Sequence, residues 1–225
     1  MALSADANYL KSNFRIVIDV EAAEIFYQKV NNKPSSSEPY FIPAGNIIEL
    51  TDCSEFTIDF TGSVLITKAG LRFGAFDPLT GIPSSIQTVD PAWAAHVGRL
   101  VYLTRCKNYQ IINVNAEGNN EKLILGGGWG DKDIQCTHTG TSENDCFNGV
   151  STGTHCNYFG LDGTYIGSTG TGSRITHINP VCHYNGRQGL SITGSDHITL
   201  INPDYSYTGR GAVSSSPRAG IDVEP

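Results

Sequence analysis

Two segments in the C-terminal part of the chain repeat each other at an interval of 23 residues. Residues 175–187 and 198–210 share eight of thirteen positions, including an Ile-Thr pair, an Ile-Asn-Pro triplet, a Tyr and a Gly-Arg pair. A repeat of this length is typical of a solenoid, in which each repeat buries its apolar face only against its neighbours. The interval therefore restricts the fold more than any other feature of the chain.

A second internal match, between residues 187–193 and residues 218–224, has a longer interval. We interpret it as the same repeat with a short loop, about residues 211–217, inserted. Side chains alternate between the two faces of a strand. The apolar members of both strands are therefore expected to face inwards: Leu190, Ile192, Ile221 and Val223. The polar members are expected outside, on stacked neighbouring strands: Ser191, Thr193, Asp222 and Glu224.

The residue types at the repeated positions separate two kinds of solenoid. The Leu-x-x-Leu-x-Leu framework of leucine-rich repeats is missing. Instead, short β-branched runs end at Asn113, Asn179 and Asn202, which occupy one equivalent position where stacked side chains can satisfy the turn backbone. The separation of Ile112 and Ile178 predicts three coils of about 22 residues each between them.

Composition supports the same prediction. The chain has 25 glycines, one methionine and 16% charged residues, which suits short strands and tight turns better than helices. We predict an all-β fold, a right-handed single-stranded parallel β-helix with about 22–23 residues per coil.

The domain organisation follows from where the strand pattern is interrupted. We expect an N-terminal lead-in or cap region in residues 1–39 and the β-helix in residues 40–225. Residues 70–98, rich in Pro and Gly, are expected to be a loop excursion from the helix. The chain stops after a predicted strand with no polar capping segment, so we expect an open C-terminal end and a fragment of a longer helix.

Charge and cysteine content exclude several classes of function. A net charge of −7 argues against general nucleic-acid binding. No apolar run approaches the ~20 residues that span a bilayer, and no signal peptide is visible, so no membrane insertion is expected. No CxxC pair occurs, and neither a metal nor another cofactor is predicted. We expect most of the cysteines to be buried free thiols: Cys53, Cys106, Cys136, Cys146, Cys156 and Cys182.

Three segments carry a resemblance to a known family: residues 41–45 followed by a strand, residues 194–202, and residues 218–225. Over about residues 40–225 the chain resembles the pectin-lyase-type parallel β-helix, and within it the tailspike and capsule-depolymerase proteins of bacteriophages. The resemblance implies a homotrimer in a virion tail or outside the cell. Its partner would be a bacterial polysaccharide of the capsule or lipopolysaccharide O-antigen type. Because this fold also hosts lyases, hydrolases, epimerases and adhesins, the resemblance leaves the reaction open.

Glycosidic bond cleavage uses two carboxylates that flank the bond. Asp222 and Glu224 are two positions apart on a predicted strand, so both are expected to project from one face, roughly 6–7 Å apart. They are the first candidates for the catalytic acid and base, and Asp204 in the preceding repeat is an alternate. The other interpretation is a solvated β-face on which Asp222 pairs with an arginine.

Substrate binding is expected to use arginine for anionic groups and aromatic rings for sugar faces. The candidates are Arg187, Arg210, Arg218, His183, Tyr205 and Trp129. Two further tyrosines, Tyr184 and Tyr207, share a repeat position and are open to the alternative of a stacking ladder in the scaffold. His177 aligns with Leu200, which indicates a strand position and not a ligand.

Two more specific assignments do not fit the sequence. Asn202-Pro203-Asp204 is similar to the Asn-x-Asp of polygalacturonases, but their Gly-His-Gly and Arg-x-Lys elements are absent. The acidic residues Asp131, Asp133, Glu143 and Asp145 lack calcium-loop spacing and are interpreted as solvated loop carboxylates. The leading prediction is a depolymerase that binds and degrades a bacterial surface polysaccharide, either as a hydrolase or as a lyase. Two alternatives remain. One is a non-catalytic receptor-binding or structural fibre, and the other is a secreted pectate-lyase-like or polygalacturonase-like enzyme.

Overall fold

A computed structural model describes residues 3–4, 12–17, 23–25, 29–30, 41–42, 45–84, 93–127, 136–168 and 173–224. Before residue 45, side chains are described at Arg15, Ile16 and Val17 alone. Helical structure in these ranges is limited to short 3₁₀ segments such as Asn120–Lys122.

Three parallel sheets contain most of the described strands, and in each sheet the neighbouring strands follow chain order. Sheet A consists of β1 (Leu3–Ser4), β6 (Ile48–Thr51), β11 (Gly98–Thr104), β15 (His138–Asn144), β18 (Asp162–Gly167), β20 (Gln188–Thr193) and β22 (Ile221–Glu224). Sheet B consists of β2 (Ser12–Val17), β7 (Ser54–Asp59), β12 (Lys107–Ile112), β16 (Phe147–Thr152), β19 (Arg174–Ile178) and β21 (His197–Ile201). Sheet C consists of β3 (Ala23–Ile25), β8 (Leu65–Thr67), β13 (Asn115–Glu117) and β17 (His155–Asn157). The predicted all-β class with parallel sheets is therefore confirmed.

Up to β17, successive strands of these sheets follow the order A, B, C, and we call each such set of strands a rung. In the later rungs the strands belong to sheets A and B, and isolated bridges from His155 to Val181 and from Val181 to Asp204 continue the stack beyond sheet C. Equivalent residues of neighbouring rungs are between 23 and 53 residues apart. The interval varies because the connections between strands differ in length, while the strands themselves remain in register. The first rung, β1 to β3, lies before residue 40, so the parallel stacking begins earlier than the predicted boundary.

The two internal matches of the sequence are pairs of neighbouring strands. In β19 and β21, Ile175 lies opposite Ile198, as the shorter repeat predicts. In β20 and β22, Leu190 lies opposite Ile221, as the longer repeat predicts. Both predicted registers are confirmed.

The predicted number of coils between Ile112 and Ile178 is wrong. Ile112 pairs with Thr152, and Thr152 pairs with Ile178, so two rungs of unequal length cover the distance that three equal coils were expected to cover. The intervals from Ile112 to Thr152 and from Thr152 to Ile178 happen to add up to three times the predicted coil length of about 22 residues.

The bends between sheets B and C use left-handed backbone conformations. Asn113, Asn179 and Asn202 have φ angles of 53°, 53° and 49°, a region that asparagine tolerates better than most residues. Asn202 Nδ2 donates to Asn179 Oδ1 at 3.2 Å. In the rung between Asn113 and Asn179 the same bend is Gly153, where a Cβ atom would lie 2.6 Å from Asn113 Oδ1. The predicted asparagine ladder is confirmed, with one glycine in it.

The interior between the sheets is apolar and includes all six cysteines, each a buried thiol outside any disulfide. Backbone hydrogen bonds align Cys53, Cys106 and Cys146 at three successive bends between sheets A and B. The expectation of buried free thiols is confirmed. Leu190 and Ile192 are buried as expected, whereas Ile221 and Val223 are 41% and 70% exposed, because no described strand covers β22 on its outer edge.

Part of the predicted excursion at residues 70–98 folds into a small sheet of its own. Its central strand, β9 (Arg72–Ala75), pairs antiparallel with β10 (Ala94–Ala95) and parallel with β14 (Ile124–Leu125). Phe73 is fully buried, so this sheet belongs to the same core as the rungs. Near the N-terminus, β4 (Lys29–Val30) and β5 (Phe41–Ile42) form an antiparallel pair.

Candidate functional site

A cleft of about 790 Å³ lies on the outer face of sheet A. Its lining comes largely from β11, β15, β18, β20 and β22, which are neighbours in the sheet. Because parallel strands lie about 4.8 Å apart, the cleft extends roughly 19 Å across the five strands. The lining side chains that bear aromatic, charged or hydroxyl groups include Arg99, Tyr102, Thr139, Ser142, Asp145, Asp162, Tyr165, Arg187, Ser191, Thr193 and Glu224.

A change of alternation in β11 decides which side chains reach this cleft. Leu100 and Val101 are consecutive, yet both are 0% exposed. Arg99 and Tyr102 flank them and both line the cleft. Strict alternation would place Arg99 and Tyr102 on opposite faces, so the sequence pattern could not group them in one cleft.

The same irregularity recurs in the following strands, where the position equivalent to Leu100 is a glycine. These positions are Gly140, Gly163, Gly189 and Gly220. A Cβ atom at Gly163 would lie 2.6 Å from Cys182 Cβ, and one at Gly189 would lie 2.7 Å from Tyr205 Cβ. Side chains from the far side of the core thus approach the sheet backbone, and only glycine leaves room for them.

Arg187, a predicted substrate-binding residue, lines the cleft but already holds a carboxylate. Its Nη2 donates to Asp162 Oδ2 at 2.6 Å and its Nε donates to Asp162 Oδ1 at 2.9 Å. The side chain of Asp162 is 1% exposed, so this bidentate salt bridge forms part of the floor of the cleft. Asp162 was not among the predicted residues because it lies in a strand that shows little repetition by eye.

The predicted catalytic residues lie on the last strand of sheet A. Asp222 pairs in register with Ser191, and Glu224 pairs with Thr193. Glu224, Ser191 and Thr193 line the cleft. Asp222 accepts a hydrogen bond from Gln188 Nε2. The structure therefore places both carboxylates on the strand that borders one end of the cleft, with Glu224 inside it.

The alternate carboxylate, Asp204, lies in a different place. His183 Nε2 is 2.9 Å from Asp204 Oδ2, and Ser206 Oγ donates to Asp204 Oδ1 at 2.8 Å. The Ser206 hydroxyl and the His183 ring lower the pKa of Asp204. Arg210 Cζ lies 5.9 Å from the centroid of the Tyr207 ring. None of these residues lines the cleft, so Asp204, His183 and Arg210 form a separate surface group.

Beside that group, three tyrosine rings stack along successive rungs. The centroids of Tyr158 and Tyr184 are 5.0 Å apart at an interplanar angle of 8°, and those of Tyr184 and Tyr207 are 5.0 Å apart at 10°. The alternative interpretation of Tyr184 and Tyr207 as a stacking ladder is confirmed, and Tyr158 extends it. The ring faces that pack on one another, including both faces of Tyr184, are not free to stack on a sugar.

Two further predicted substrate-binding residues, Tyr205 and Arg218, do not line the cleft. The ring of Tyr205 packs against the core, and burial raises its pKa. Arg218 has a φ angle of 65°, and its side chain occupies the space beside Gly209. Trp129 lies outside the described residues.

A buried polar group in the core was also missed. Tyr109 Oη donates to Glu143 Oε1 at 2.6 Å, and His177 Nε2 lies 2.8 Å from Glu143 Oε2. All three residues are at most 1% exposed. The interpretation of Glu143 as a solvated loop carboxylate is therefore wrong, while the strand position expected for His177 is confirmed. This group is closed to a ligand from solvent.

Within the described ranges, three or more potential metal-binding side chains do not come together anywhere. The same ranges contain no helix with the length and apolar character needed to cross a membrane. Comparison with known proteins finds no matching family model, no matching curated protein and no matching solved structure.

Proposed function

We propose that this chain is a right-handed parallel β-helix that binds and cleaves a bacterial surface polysaccharide along the outer face of sheet A. The recurring strand order of sheets A and B from rung to rung supports the β-helix, and crossover connections between parallel strands are almost always right-handed. The resemblance of the sequence to phage tailspikes supports a homotrimeric, extracellular or virion-borne depolymerase. The observation that carries the function is the cleft, which spans five strands and combines side-chain types suited to a glycan.

The lining offers complementary chemistry for a polar polymer. Tyr102 and Tyr165 supply amphipathic rings for the C–H faces of sugars, while the half-buried Ser168 and Thr193 supply hydroxyl groups for hydrogen bonds to sugar hydroxyls. A groove that extends across several strands suits a chain of sugar units better than it suits a single small molecule.

Cleavage is assigned to Asp222 and Glu224. Their separation along the strand, roughly 6–7 Å, approaches the distance between the two carboxyl groups of inverting glycosidases. In this proposal Glu224, inside the cleft, protonates the leaving oxygen, and Asp222 activates the attacking water. Gln188, which donates to Asp222, orients that carboxylate.

Replacing the two carboxylates tests the assignment. Asp222→Asn and Glu224→Gln should each lower the cleavage rate at least about 100-fold, because a positioned acid or base contributes roughly 10²–10⁴ to a rate. The protein would be incubated with a panel of bacterial capsular polysaccharides, and reducing ends would be followed together with ultraviolet absorbance of unsaturated products. Glu117→Gln, an exposed change on sheet C, is the matched control.

The outcomes separate the candidate reactions. Reducing ends without absorbance, lost in both variants, support hydrolysis by this pair. Both signals together indicate elimination, as in a pectate-lyase-like enzyme, and shift the assignment to the arginines and tyrosines of the cleft. Unchanged rates in Asp222→Asn and Glu224→Gln would remove these residues from the mechanism.

A receptor-binding protein without catalysis is the second candidate. It is favoured by the observation that two carboxylates of this face already hold partners: Asp162 holds Arg187, and Asp222 holds Gln188. Binding of a polysaccharide without any product over prolonged incubation would select this function.

A further inference from the structure

Arg99 is a cation of the cleft that has no carboxylate at ion-pair distance among the described residues. Arg187 holds Asp162, and Arg105 holds Asp52. By contrast, no described carboxylate lies within 4.0 Å of the Arg99 guanidinium, and Glu49 and Asp162 attract it only from farther away. A cation in a cleft without a paired anion is a feature that a ligand can complete.

The backbone around Arg99 is held firmly. Its N–H donates to Asn46 Oδ1 at 3.0 Å, and its carbonyl accepts from the Ile47 N–H at 2.9 Å. The guanidinium Cζ lies 4.7 Å from the centroid of the Tyr102 ring. The aromatic ring thus supports the cation from one side, and the side chain lines the cleft.

Burial has a cost for this group. Removal from water disfavours a charged group, and here desolvation lowers the pKa of Arg99. An ionised group that leaves water without an ion partner is destabilising, whereas a well-placed opposite charge offsets part of that loss. The guanidinium nevertheless stays charged at neutral pH, because its ordinary pKa is far above 7.

We propose that Arg99 is an anion subsite of the cleft and that its ligand is the carboxylate of a uronic-acid unit in the polysaccharide. This inference rests on the proposed function and adds the chemical class of the glycan. A guanidinium presents five N–H donors in one plane, and their fork matches the two oxygens of a carboxylate. The contact with Tyr102 is to the aromatic ring and not to a hydrogen-bond acceptor, so the N–H donors remain for the ligand.

A titration followed at Arg99 itself provides the test. The Nε–Hε nuclear magnetic resonance signal of Arg99, assigned by its loss in Arg99→Met, would be followed as glucuronate, glucose or sulfate is added at constant ionic strength. Glucuronate should shift the signal to saturation, and glucose should leave it unchanged. Arg174, an exposed arginine near the Phe147 ring on sheet B, is the internal control and should not respond.

Several results would overturn the assignment. They are an Arg99 signal that ignores glucuronate, a response of Arg174 equal to that of Arg99, and saturation by sulfate at the same concentration as by glucuronate. The last result would show a general oxyanion site and not a uronate subsite.

Stability without ligand distinguishes a binding role from a structural role. Arg99→Met keeps the aliphatic stem but removes the uncompensated charge, so its melting temperature should be equal to or higher than that of the original chain. A structural arginine would behave in the opposite way, and a clear fall in melting temperature would overturn the proposal. Arg174→Met is the matched control, with no expected change.

Polysaccharide binding then separates this inference from the proposed function. An acidic capsular polysaccharide should bind Arg99→Met at least about tenfold more weakly than the original chain, as expected for loss of charge-assisted hydrogen bonds. The same polymer with its carboxylates reduced to alcohols should bind both proteins equally. Equal binding of the acidic polymer by both proteins would remove the subsite and keep the function. A glucuronate response without any polysaccharide binding would remove the function and keep the subsite.

Discussion

At the scale of single residues, His138 shows how burial decides a protonation state. The Gly160 N–H donates to His138 Nδ1 at 3.0 Å, and His138 Nε2 lies 3.3 Å from Thr67 Oγ1. The ring also packs edgewise against Phe73 and Phe159. Since Nδ1 accepts a hydrogen bond, the ring is neutral with its proton on Nε2, and burial lowers the pKa of His138 to about 3.

His138 should therefore make stability depend on pH. The pKa of His138 is lower in the folded chain than in the unfolded chain. Its contribution to the free energy of unfolding is therefore fully present above pH ~6.5 and falls as pH drops towards 3. Between pH 7.5 and pH 5 the loss should be about 2 kcal/mol. Urea unfolding of the original chain and of His138→Gln at both pH values measures it, because titrations common to both proteins cancel in the difference.

The free-energy difference between the two proteins should shrink by that amount at pH 5. A difference that stays constant across this range would contradict the neutral, buried ring. If His138→Gln does not fold, the ring can be titrated directly by nuclear magnetic resonance in the original chain, where it should remain neutral down to pH 4.

At the scale of elements, the core packing of sheet A requires a column of glycines: Gly140, Gly163, Gly189 and Gly220. The residues equivalent to Leu100 lack a side chain wherever a bend on the far side of the core points a cysteine or tyrosine at the strand. In β11 the same position is Leu100, whose side chain is buried together with that of Val101, while Arg99 and Tyr102 on either side line the cleft. The packing of the core therefore determines which side chains of sheet A line the cleft.

Gly163→Ala tests this requirement. Its new methyl group would lie 2.6 Å from both Cys182 Cβ and Asn185 Nδ2, so we expect a loss of about 1–3 kcal/mol in unfolding free energy, as is usual for overpacking. Gly45→Ala is the matched control, because no atom lies within 4 Å of a Cβ at that position. Equal unfolding midpoints in urea for the two variants would show that the column is not tightly packed.

At the scale of the whole molecule, the exposed edge of β22 is expected to affect association. Val223 is 70% exposed on the last described strand of sheet A, and an apolar strand edge is a template for pairing with another chain. Val223→Lys should reduce concentration-dependent association in sedimentation velocity experiments.

The control for this change is Leu79→Lys. Leu79 is also exposed, at 48%, but it lies in a turn and not on a strand edge. Association that responds equally to both substitutions would indicate general stickiness of exposed apolar groups, and association that responds to neither would exclude β22 as the contact.

Much of the stacking could be predicted from two short matches. The shorter and the longer internal repeat correctly predict the pairing of β19 with β21 and of β20 with β22. The earlier rungs escaped detection because long connections separate their strands by 40 and 53 residues, and no constant period survives. Buried Glu143, in β15, was missed for the same reason.

The sequence by itself determined the class of the fold, the register of its last rungs and the asparagine ladder, because each of these follows from local backbone preference and a repeated apolar pattern. Only the tertiary structure decided which polar side chains share the cleft. Asp204 and Asp222 are close in sequence but lie in different surface groups, while Arg99 and Arg187 are distant in sequence but line one groove. Lateral stacking of strands brings together residues whose separation depends on connection length, and connection length leaves no periodic trace in the sequence.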